Sequence, residues 1–89
     1  MTSLDGKVAL ITGASAGLGA ATATLFAARG ATVYGVARDT DRLAEVFADV
    51  PGGRFGSYDI ASPTACRQAV ADCVEAFGRV DVLANVAGF

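Results

Sequence analysis

Residues 8–19 read VALITGASAGLG, and this stretch decides the fold. It starts with a short apolar run, which is typical of a buried strand, and passes directly into a turn with three glycines. From about Ser15 to Arg29 the composition favours a helix. A strand, a glycine-rich turn and a helix in this order form a structure that binds a dinucleotide pyrophosphate through backbone N–H groups at the helix N-terminus.

Each glycine of the turn has a separate predicted role. Gly13 permits the tight turn, Gly17 lets the backbone approach the phosphates, and Gly19 allows the helix to pack closely on the strand. Glycines also mark ordinary turns, so the interpretation depends on the strand and helix on either side. The predicted cofactor contacts in the turn are Gly13, Ser15, Ala16, Gly17, Leu18 and Gly19.

The rest of the chain alternates strand and helix signals. Strands are predicted over 32–37, 54–58 and 80–86, and helices over 41–50 and 63–77. The second of these helices has Ser62 as its predicted N-cap, Pro63 as its first residue and Gly78 as its stop. The predicted buried faces of the three helices are Ala20, Ala21, Thr24, Leu25 and Ala28; Leu43, Val46 and Phe47; and Cys66, Ala69, Val70, Cys73, Val74 and Phe77. This βαβαβαβ order predicts an α/β fold with a parallel sheet. Together with the glycine turn it indicates an incomplete Rossmann-type doubly wound sheet, for which the expected strand order is 3-2-1-4.

Composition narrows the functional classes. Hydrophobic residues make up 53% of the chain and charged residues 18%, which suits a sheet covered on both faces. The net charge of -2 argues against a nucleic-acid partner. No stretch approaches the roughly 20 apolar residues of a membrane span, and the N-terminus lacks a secretory signal. A cytoplasmic location is therefore predicted.

The two cysteines, Cys66 and Cys73, lie seven positions apart on one predicted helix. This spacing separates them by about 10.5 Å along the helix axis, which is too far for a disulfide between them. The chain has no histidine, so no metal site is expected. Two buried structural thiols are the favoured interpretation.

The spacing Gly-xxx-Gly-x-Gly over residues 13–19, preceded by residues 4–12, closely resembles the short-chain dehydrogenase/reductase family. Three further features match the family in order. An arginine ends the second strand, an aspartate follows the third, and Asn-Val-Ala-Gly at 85–88 stands where the family commonly has Asn-Asn-Ala-Gly. The resemblance covers essentially the whole chain, and it assigns residues 1–89 to the NADP(H)-binding N-terminal part of a single Rossmann domain.

The resemblance implies that the end of the second strand selects the cofactor. An acidic residue there binds the ribose 2′-hydroxyl, whereas a basic residue favours a 2′-phosphate. Here Ala37 is followed by Arg38, and a guanidinium group suits a phosphate, so NADP(H) is favoured and NAD(H) stays possible. Ala16 departs from members that carry a second basic residue in the turn. The alternative is a solvated surface arginine, for which Asp39 and Asp41 are candidate ion-pair partners.

The resemblance also implies contacts to the adenine and to the cofactor cleft. Asp59 and Ile60 match the pair that holds the adenine, with the carboxylate accepting a hydrogen bond from the exocyclic amino group. A loop or helix-capping role is the alternative for Asp59. Asn85, Ala87 and Gly88 match the turn that supports the central sheet and lines the cleft.

The family reaction moves a hydride between nicotinamide and a carbonyl or alcohol carbon. The serine, the Tyr-xxx-Lys pair and the asparagine that assist it lie beyond the fourth strand, and the only lysine here is Lys7. Tyr34 and Arg38 imitate the Tyr-xxx-Lys spacing. On a strand, however, such residues are about 13 Å apart, and arginine keeps its proton. No catalytic residue is therefore assigned, and these 89 residues alone are expected to be inactive.

Three interpretations remain open at this point. The favoured one is part of a longer NAD(P)(H)-dependent oxidoreductase; the others are a non-catalytic NADP(H)-binding module and an inactive remnant. The resemblance implies a small-molecule carbonyl or alcohol substrate and a homo-oligomer for the full-length protein. The charge and the lack of a long apolar stretch predict neither nucleic acid nor membrane as a partner. In the predicted strand order the fourth strand lies at an open edge, which favours pairing with another chain or aggregation.

Overall fold

The structure is a computed structural model, and it describes residues 3–86. Strands and helices alternate in the order β1 (Val8–Thr12), α1 (Gly17–Ala28), β2 (Thr32–Ala37), α2 (Thr40–Phe47), β3 (Arg54–Ser57), α3 (Pro63–Phe77) and β4 (Val82–Asn85). The strands form one parallel sheet in the order β3-β2-β1-β4. The predicted fold and strand order are confirmed. The predicted and observed ends of α1, α2, β3 and β4 differ by up to three residues, with the largest difference at α2, which stops at Phe47, whereas β2 and α3 have the predicted ends.

The central strand β1 separates two hydrophobic clusters. Its side chains alternate, as they must on a strand. Ala9 and Ile11 join the cluster under α1 and α2, whereas Val8 and Leu10 join the cluster under α3. We call these two sides of the sheet the α1/α2 face and the α3 face. The β1 residues of both faces are buried, so β1 is the centre of the core.

Helix α1 packs on the sheet through a different side from the predicted one. Its buried residues are Gly19 and Ala23, and Phe26 and Ala27 are half-buried against the same cluster. The predicted face is wrong: Ala20 is half-buried, and Ala21, Thr24, Leu25 and Ala28 are exposed. Almost every residue of α1 is apolar or small, so periodicity does not select a face. The close approach of Gly19 to the preceding turn selects it instead.

Helix α3 begins and ends at the predicted residues. The Ser62 hydroxyl accepts a hydrogen bond from the Ala65 N–H (3.3 Å), Pro63 follows as the first helical residue, and Gly78 ends the helix in a left-handed conformation. Its predicted buried face is only partly correct, because Val70 and Val74 are 42% and 43% exposed. Helix α3 packs on β1 and β2, and no other helix within residues 3–86 covers these valines.

The cysteines occupy two environments. Both are free thiols, but Cys73 is buried and Cys66 only half-buried. Burial raises the pKa of the Cys73 thiol. The Cys66 Sγ donates to the carbonyl oxygen of Ile60 at 3.2 Å. The prediction of two buried thiols is therefore correct for Cys73 and too strong for Cys66.

The first residues of β4 are fixed by a carboxylate. Asp81 Oδ2 accepts hydrogen bonds from the Val8 N–H (2.8 Å) and from Arg79 Nε (2.8 Å). The Arg79 guanidinium and, next, the Val8 amide hold the pKa of Asp81 below its usual range. The bond between Val8 and Asp81 attaches the start of β4 to the start of β1. Within residues 3–86, no helix combines the length and the apolar composition needed to span a membrane.

Candidate functional site

A cavity of about 810 Å³ opens at the carboxyl ends of β1 and β4. Its lining comes from the glycine turn, from β1, β2 and β4, and from the β3–α3 loop and the first turns of α3. Strand β1 lies between β2 and β4, so the strand order reverses here. Open α/β sheets bind their ligands at such a reversal.

The glycine turn forms one wall of this cavity. Gly13 and Gly17 have positive φ angles of 69° and 55°, a region that favours glycine. A Cβ on Gly19 would overlap the carbonyl oxygen of Gly13, so only glycine lets α1 start this close to β1. The Ala14 N–H donates to the Val36 carbonyl at 3.2 Å, which attaches the turn to β2.

Helix α1 starts at Gly17 with Ala16 as its N-cap, and no side chain caps its first turn. The first N–H groups of a helix have no partner within the helix, and the helix dipole places positive charge there. Ala16, Leu18 and Gly19 from this segment line the cavity. The arrangement suits an anionic group held by backbone donors.

A side-chain bond joins the two strands at the base of the cavity. Thr12 Oγ1 donates to Asn85 Oδ1 at 2.8 Å, and the two residues are partners in the β1–β4 register. Both line the cavity. The sequence analysis assigned Asn85 but missed Thr12. The signal for Thr12 is its position as the last polar residue of β1, directly before the turn. Ala87 and Gly88 lie outside the described residues.

Arg38 follows the last residue of β2 and is exposed. Its carbonyl oxygen accepts a hydrogen bond from the Ser57 hydroxyl at 2.8 Å, which fixes its backbone. The one ion pair within residues 3–86 joins Arg79 to Asp81, so the Arg38 guanidinium pairs with no carboxylate there. Asp39 instead caps α2 by accepting from the Arg42 N–H. No ion pair of Arg38 with Asp39 or Asp41 is therefore found within residues 3–86, and the exposed side chain fits both a phosphate contact and a solvated surface arginine.

Asp59 and Ile60 lie in the loop between β3 and α3. Ile60 lines the cavity, whereas Asp59 is exposed. Asp59 Oδ1 accepts from the Ala61 N–H at 3.0 Å, and the Asp59 carbonyl accepts from the Ser62 N–H at 2.9 Å. Asp59 thus shapes the loop, and its Oδ2 accepts no hydrogen bond from residues 3–86.

The cavity brings together part of the predicted set. It is lined by Gly13, Ala16, Leu18, Gly19, Ile60 and Asn85, whereas Ser15, Gly17, Arg38 and Asp59 lie outside its lining. The sequence analysis did not predict the apolar wall formed by Cys66, Ala69, Val70 and Leu83. Within the described chain, no group of three or more His, Cys, Asp or Glu side chains is placed to hold a metal ion.

Known proteins are similar to this chain in sequence and in structure. D-threitol dehydrogenase of Mycolicibacterium smegmatis is 46% identical over 91 residues, covering 96% of this chain and 34% of that protein. A short-chain dehydrogenase/reductase from Serratia marcescens BCRC 10948 is 38% identical with a TM-score of 0.87, covering 94% of this chain and 36% of that one. The 3-ketoacyl-(acyl-carrier-protein) reductase from Brucella melitensis, solved in complex with NADH, is 39% identical with a TM-score of 0.87, covering 91% of this chain and 34% of that one.

These comparisons fix the family. The chain spans about one third of the length of the relatives it matches. The model of the short chain dehydrogenase family matches residues 7–89, which is nearly the whole chain. With its parallel 3-2-1-4 sheet, its glycine turn and its cavity at the strand reversal, this chain belongs to the short-chain dehydrogenase family of NAD(P)(H)-binding oxidoreductases.

Proposed function

We propose that this chain forms the NADP(H)-binding part of an oxidoreductase that transfers a hydride between nicotinamide and a carbonyl or alcohol carbon. The observation that carries the proposal is the cavity at the β1–β4 reversal, which has the glycine turn and Asn85 in its lining. The similarity to dehydrogenases and reductases supports the reaction type. When bound, the nicotinamide supplies or accepts the hydride.

The glycine turn binds the pyrophosphate in this proposal. The first N–H groups of α1, at Gly17, Leu18 and Gly19, have no side-chain cap and act as donors to the phosphate oxygens. Ser15 adds a hydroxyl group from the same turn. Gly19 has no side chain to separate α1 from the turn, so these donors stay close to the end of β1.

The adenosine half of the cofactor lies toward the β3–α3 loop. Ile60 gives an apolar wall, and Asp59 Oδ2 accepts from the exocyclic amino group of the adenine. At the other end, the Thr12–Asn85 bond keeps the base of the cleft rigid. Ala87 and Gly88, which lie outside the described residues, remain predicted cofactor contacts of the same turn as Asn85.

Arg38 gives the preference for the 2′-phosphate. Its guanidinium is exposed and makes no ion pair within residues 3–86, so binding a phosphate breaks no such pair. Ser57 holds its backbone in place. Ala37, the residue before it, carries no acidic group that would repel a 2′-phosphate. Hydrogen bonds to charged groups contribute about 1.5–3 kcal/mol each, which corresponds to a preference of about tenfold to a hundredfold.

Titration of the unmutated chain and of Arg38→Asp with NADPH and NADH tests this proposal. The unmutated chain is expected to bind NADPH at least about tenfold more tightly, and Arg38→Asp is expected to reverse the preference. Arg42→Asp is the matched control, because it makes the same charge change on an exposed residue of α2 and leaves the preference unchanged. Tighter binding of NADH by the unmutated chain overturns the NADP(H) preference. Failure to bind either dinucleotide overturns the cofactor proposal itself.

The proposal assigns no catalytic role to residues 3–86. Tyr34 and Tyr58 carry the only phenol groups, and these bond to each other, with Tyr58 also bonded to Asp72. Neither tyrosine lines the cavity. The substrate, a small carbonyl or alcohol, is therefore proposed for the full-length protein and not for these residues alone. The cytoplasmic location and the homo-oligomeric state of the full-length protein remain predictions.

A further inference from the structure

A row of polar side chains crosses the α3 face next to the β3–α3 loop. Tyr58 is the residue directly before Asp59, and its hydroxyl donates a hydrogen bond to Asp72 Oδ2 on α3 at 2.5 Å. The Tyr34 hydroxyl of β2 lies 2.7 Å from the Tyr58 hydroxyl. Because the single Tyr58 proton goes to Asp72, Tyr34 is the donor in this second bond. Gln68 Nε2 donates to the other Asp72 oxygen at 2.7 Å.

This row connects three elements through one hydroxyl group. Tyr58 reaches β2 through Tyr34 and α3 through Asp72. Desolvation and the Asp72 bond, in that order, raise the pKa of Tyr58, while the Tyr58 bond and then the Gln68 bond lower the pKa of Asp72. The direction of both shifts fits a phenol that stays protonated and a carboxyl that stays ionised. Consecutive hydrogen bonds of this kind strengthen one another.

The ring of Tyr58 is also fixed by the strand before it. A Cβ on Gly56 would come within 2.6 Å of the Tyr58 ring, so the ring lies directly over the bare backbone of β3. The Tyr58 N–H donates to the Ala37 carbonyl at 2.9 Å. Backbone, ring and hydroxyl of Tyr58 are thus each held by a different neighbour.

The segment that follows Tyr58 has its own bonds. The Ile60 carbonyl accepts from Cys66 Sγ at 3.2 Å. The Asp59 carbonyl and Oδ1 accept from the Ser62 and Ala61 N–H groups. These bonds shape the loop and attach its far end to α3, but they do not attach its near end to the sheet. Tyr58 provides that attachment, immediately before the two residues assigned to the adenine.

We propose that Tyr58 is a positioning residue for the adenosine half of the cofactor, acting through its hydroxyl bonds to Asp72 and Tyr34. It holds the position of Asp59 and Ile60 relative to the cavity and itself touches no part of the ligand. The inference rests on the proposed dinucleotide binding and concerns recognition of the adenine amino group by Asp59. Loss of the Tyr58 hydroxyl bonds leaves the pyrophosphate turn unchanged, because that turn is attached to β2 through Ala14.

The test compares two dinucleotides that differ only at the adenine. NADPH carries the exocyclic amino group, and the hypoxanthine analogue of NADPH carries a carbonyl oxygen in its place. The unmutated chain is expected to bind NADPH at least about tenfold more tightly than the analogue, because the bond that is lost is accepted by a carboxylate. In Tyr58→Phe, which keeps the ring over Gly56, this ratio is expected to fall to about one.

The ratio separates positioning from a general loss of structure. A variant that merely unfolds more easily weakens the binding of both dinucleotides equally and leaves their ratio unchanged. Asp72→Ala, which removes the same bond from the α3 side, is expected to reproduce the lost ratio. Tyr34→Phe, which removes only the outer bond, is expected to keep most of it. Circular dichroism checks that each variant is folded.

Two results are distinguishable as failures. If the unmutated chain binds neither dinucleotide, both the proposed function and this inference are wrong. If the unmutated chain discriminates between the dinucleotides and folded Tyr58→Phe and Asp72→Ala discriminate equally well, the proposed function stands and Tyr58 has no positioning role.

Discussion

The two faces of the sheet are stabilised in different ways. On the α1/α2 face, two helices cover a continuous apolar cluster that includes Leu43 and Phe47. On the α3 face, a single helix covers a smaller cluster, and Val70, Val74 and Leu83 are exposed. This second face adds a hydrogen bond from the Tyr58 hydroxyl to Asp72. Packing therefore dominates one face, whereas the other combines packing with polar contacts.

The largest difference between the faces is expected from truncation of leucine side chains. Leu43 is fully buried on the α1/α2 face, and Leu83 is 62% exposed on β4. We expect Leu43→Ala to lower the free energy of unfolding by about 2–5 kcal/mol, because it leaves a cavity in a closed core. Leu83→Ala, the matched control, should cost less than about 1 kcal/mol. Urea denaturation measures both, and equal losses would contradict the comparison.

Loss of a helix cap is expected to have an intermediate effect. Ser62 caps α3 and Asp39 caps α2, each by accepting a backbone N–H bond. Ser62→Ala and Asp39→Ala should each cost about 0.5–2 kcal/mol in the free energy of unfolding. Hydrogen exchange should show a further difference. In Ser62→Ala, the amide hydrogens of the whole of α3 should exchange faster. In Asp39→Ala, faster exchange should be confined to the first turn of α2, because the buried Leu43 and Phe47 hold the rest of that helix in place. Spreading in α2 alone would reverse the comparison.

The smallest expected effect is on the response to acid. The pKa values of Asp72 and Asp81 are lowered in the folded chain, mainly by hydrogen bonds from Tyr58 and Arg79. A lowered pKa gives stability above the unfolded-state value that is lost as the pH falls through the folded-state value. Both carboxyls hold α3 or β4. Amide exchange below about pH 4 should therefore increase first in α3 and β4 and only later in α2.

Asp81→Asn checks the contribution of one carboxyl to this response. The variant cannot titrate at this position, so its stability should change less steeply with pH in the acid range than that of the unmutated chain. Asp49→Asn is a suitable control, because Asp49 is exposed and its carboxylate makes no ion pair within residues 3–86. A slope unchanged by Asp81→Asn, or lowered equally by Asp49→Asn, would contradict the assignment.

The sequence predicted those parts of the fold where several signals agree. The strand before Gly13, the turn itself and the start of α3 at Ser62-Pro63 each combine periodicity with a residue that has a specific backbone role. The packed side of α1 could not be predicted, because its residues are apolar or small all round. The exposure of Val70 and Val74 could not be predicted either. Their spacing shows that they form an apolar face, but not whether another element covers it.

The candidate site, like the fold, could be predicted only in part from the sequence. Gly13, Gly19, Ile60 and Asn85 line the cavity as their motifs suggest. The polar row of Tyr34, Tyr58 and Asp72 was not predicted, because its members are far apart in sequence and lie on different elements. Only the packing of α3 across β2 brings them together. The Arg38 carbonyl bond from Ser57 depends in the same way on the pairing of β2 with β3.

The pairing of β1 with β4 also has a consequence for the time course of folding. Val8 pairs with Thr32 on one side of β1, whereas on the other side Thr12 bonds to Asn85, 73 residues later. Closing the longer loop, about three times the length of the shorter one, costs about 1 kcal/mol more in chain entropy. Strands β1 and β2 are therefore expected to associate early and β4 to join last. The cleft between β1 and β4 is then the final part of the sheet to form, and during synthesis it forms only after Asn85 has left the ribosome.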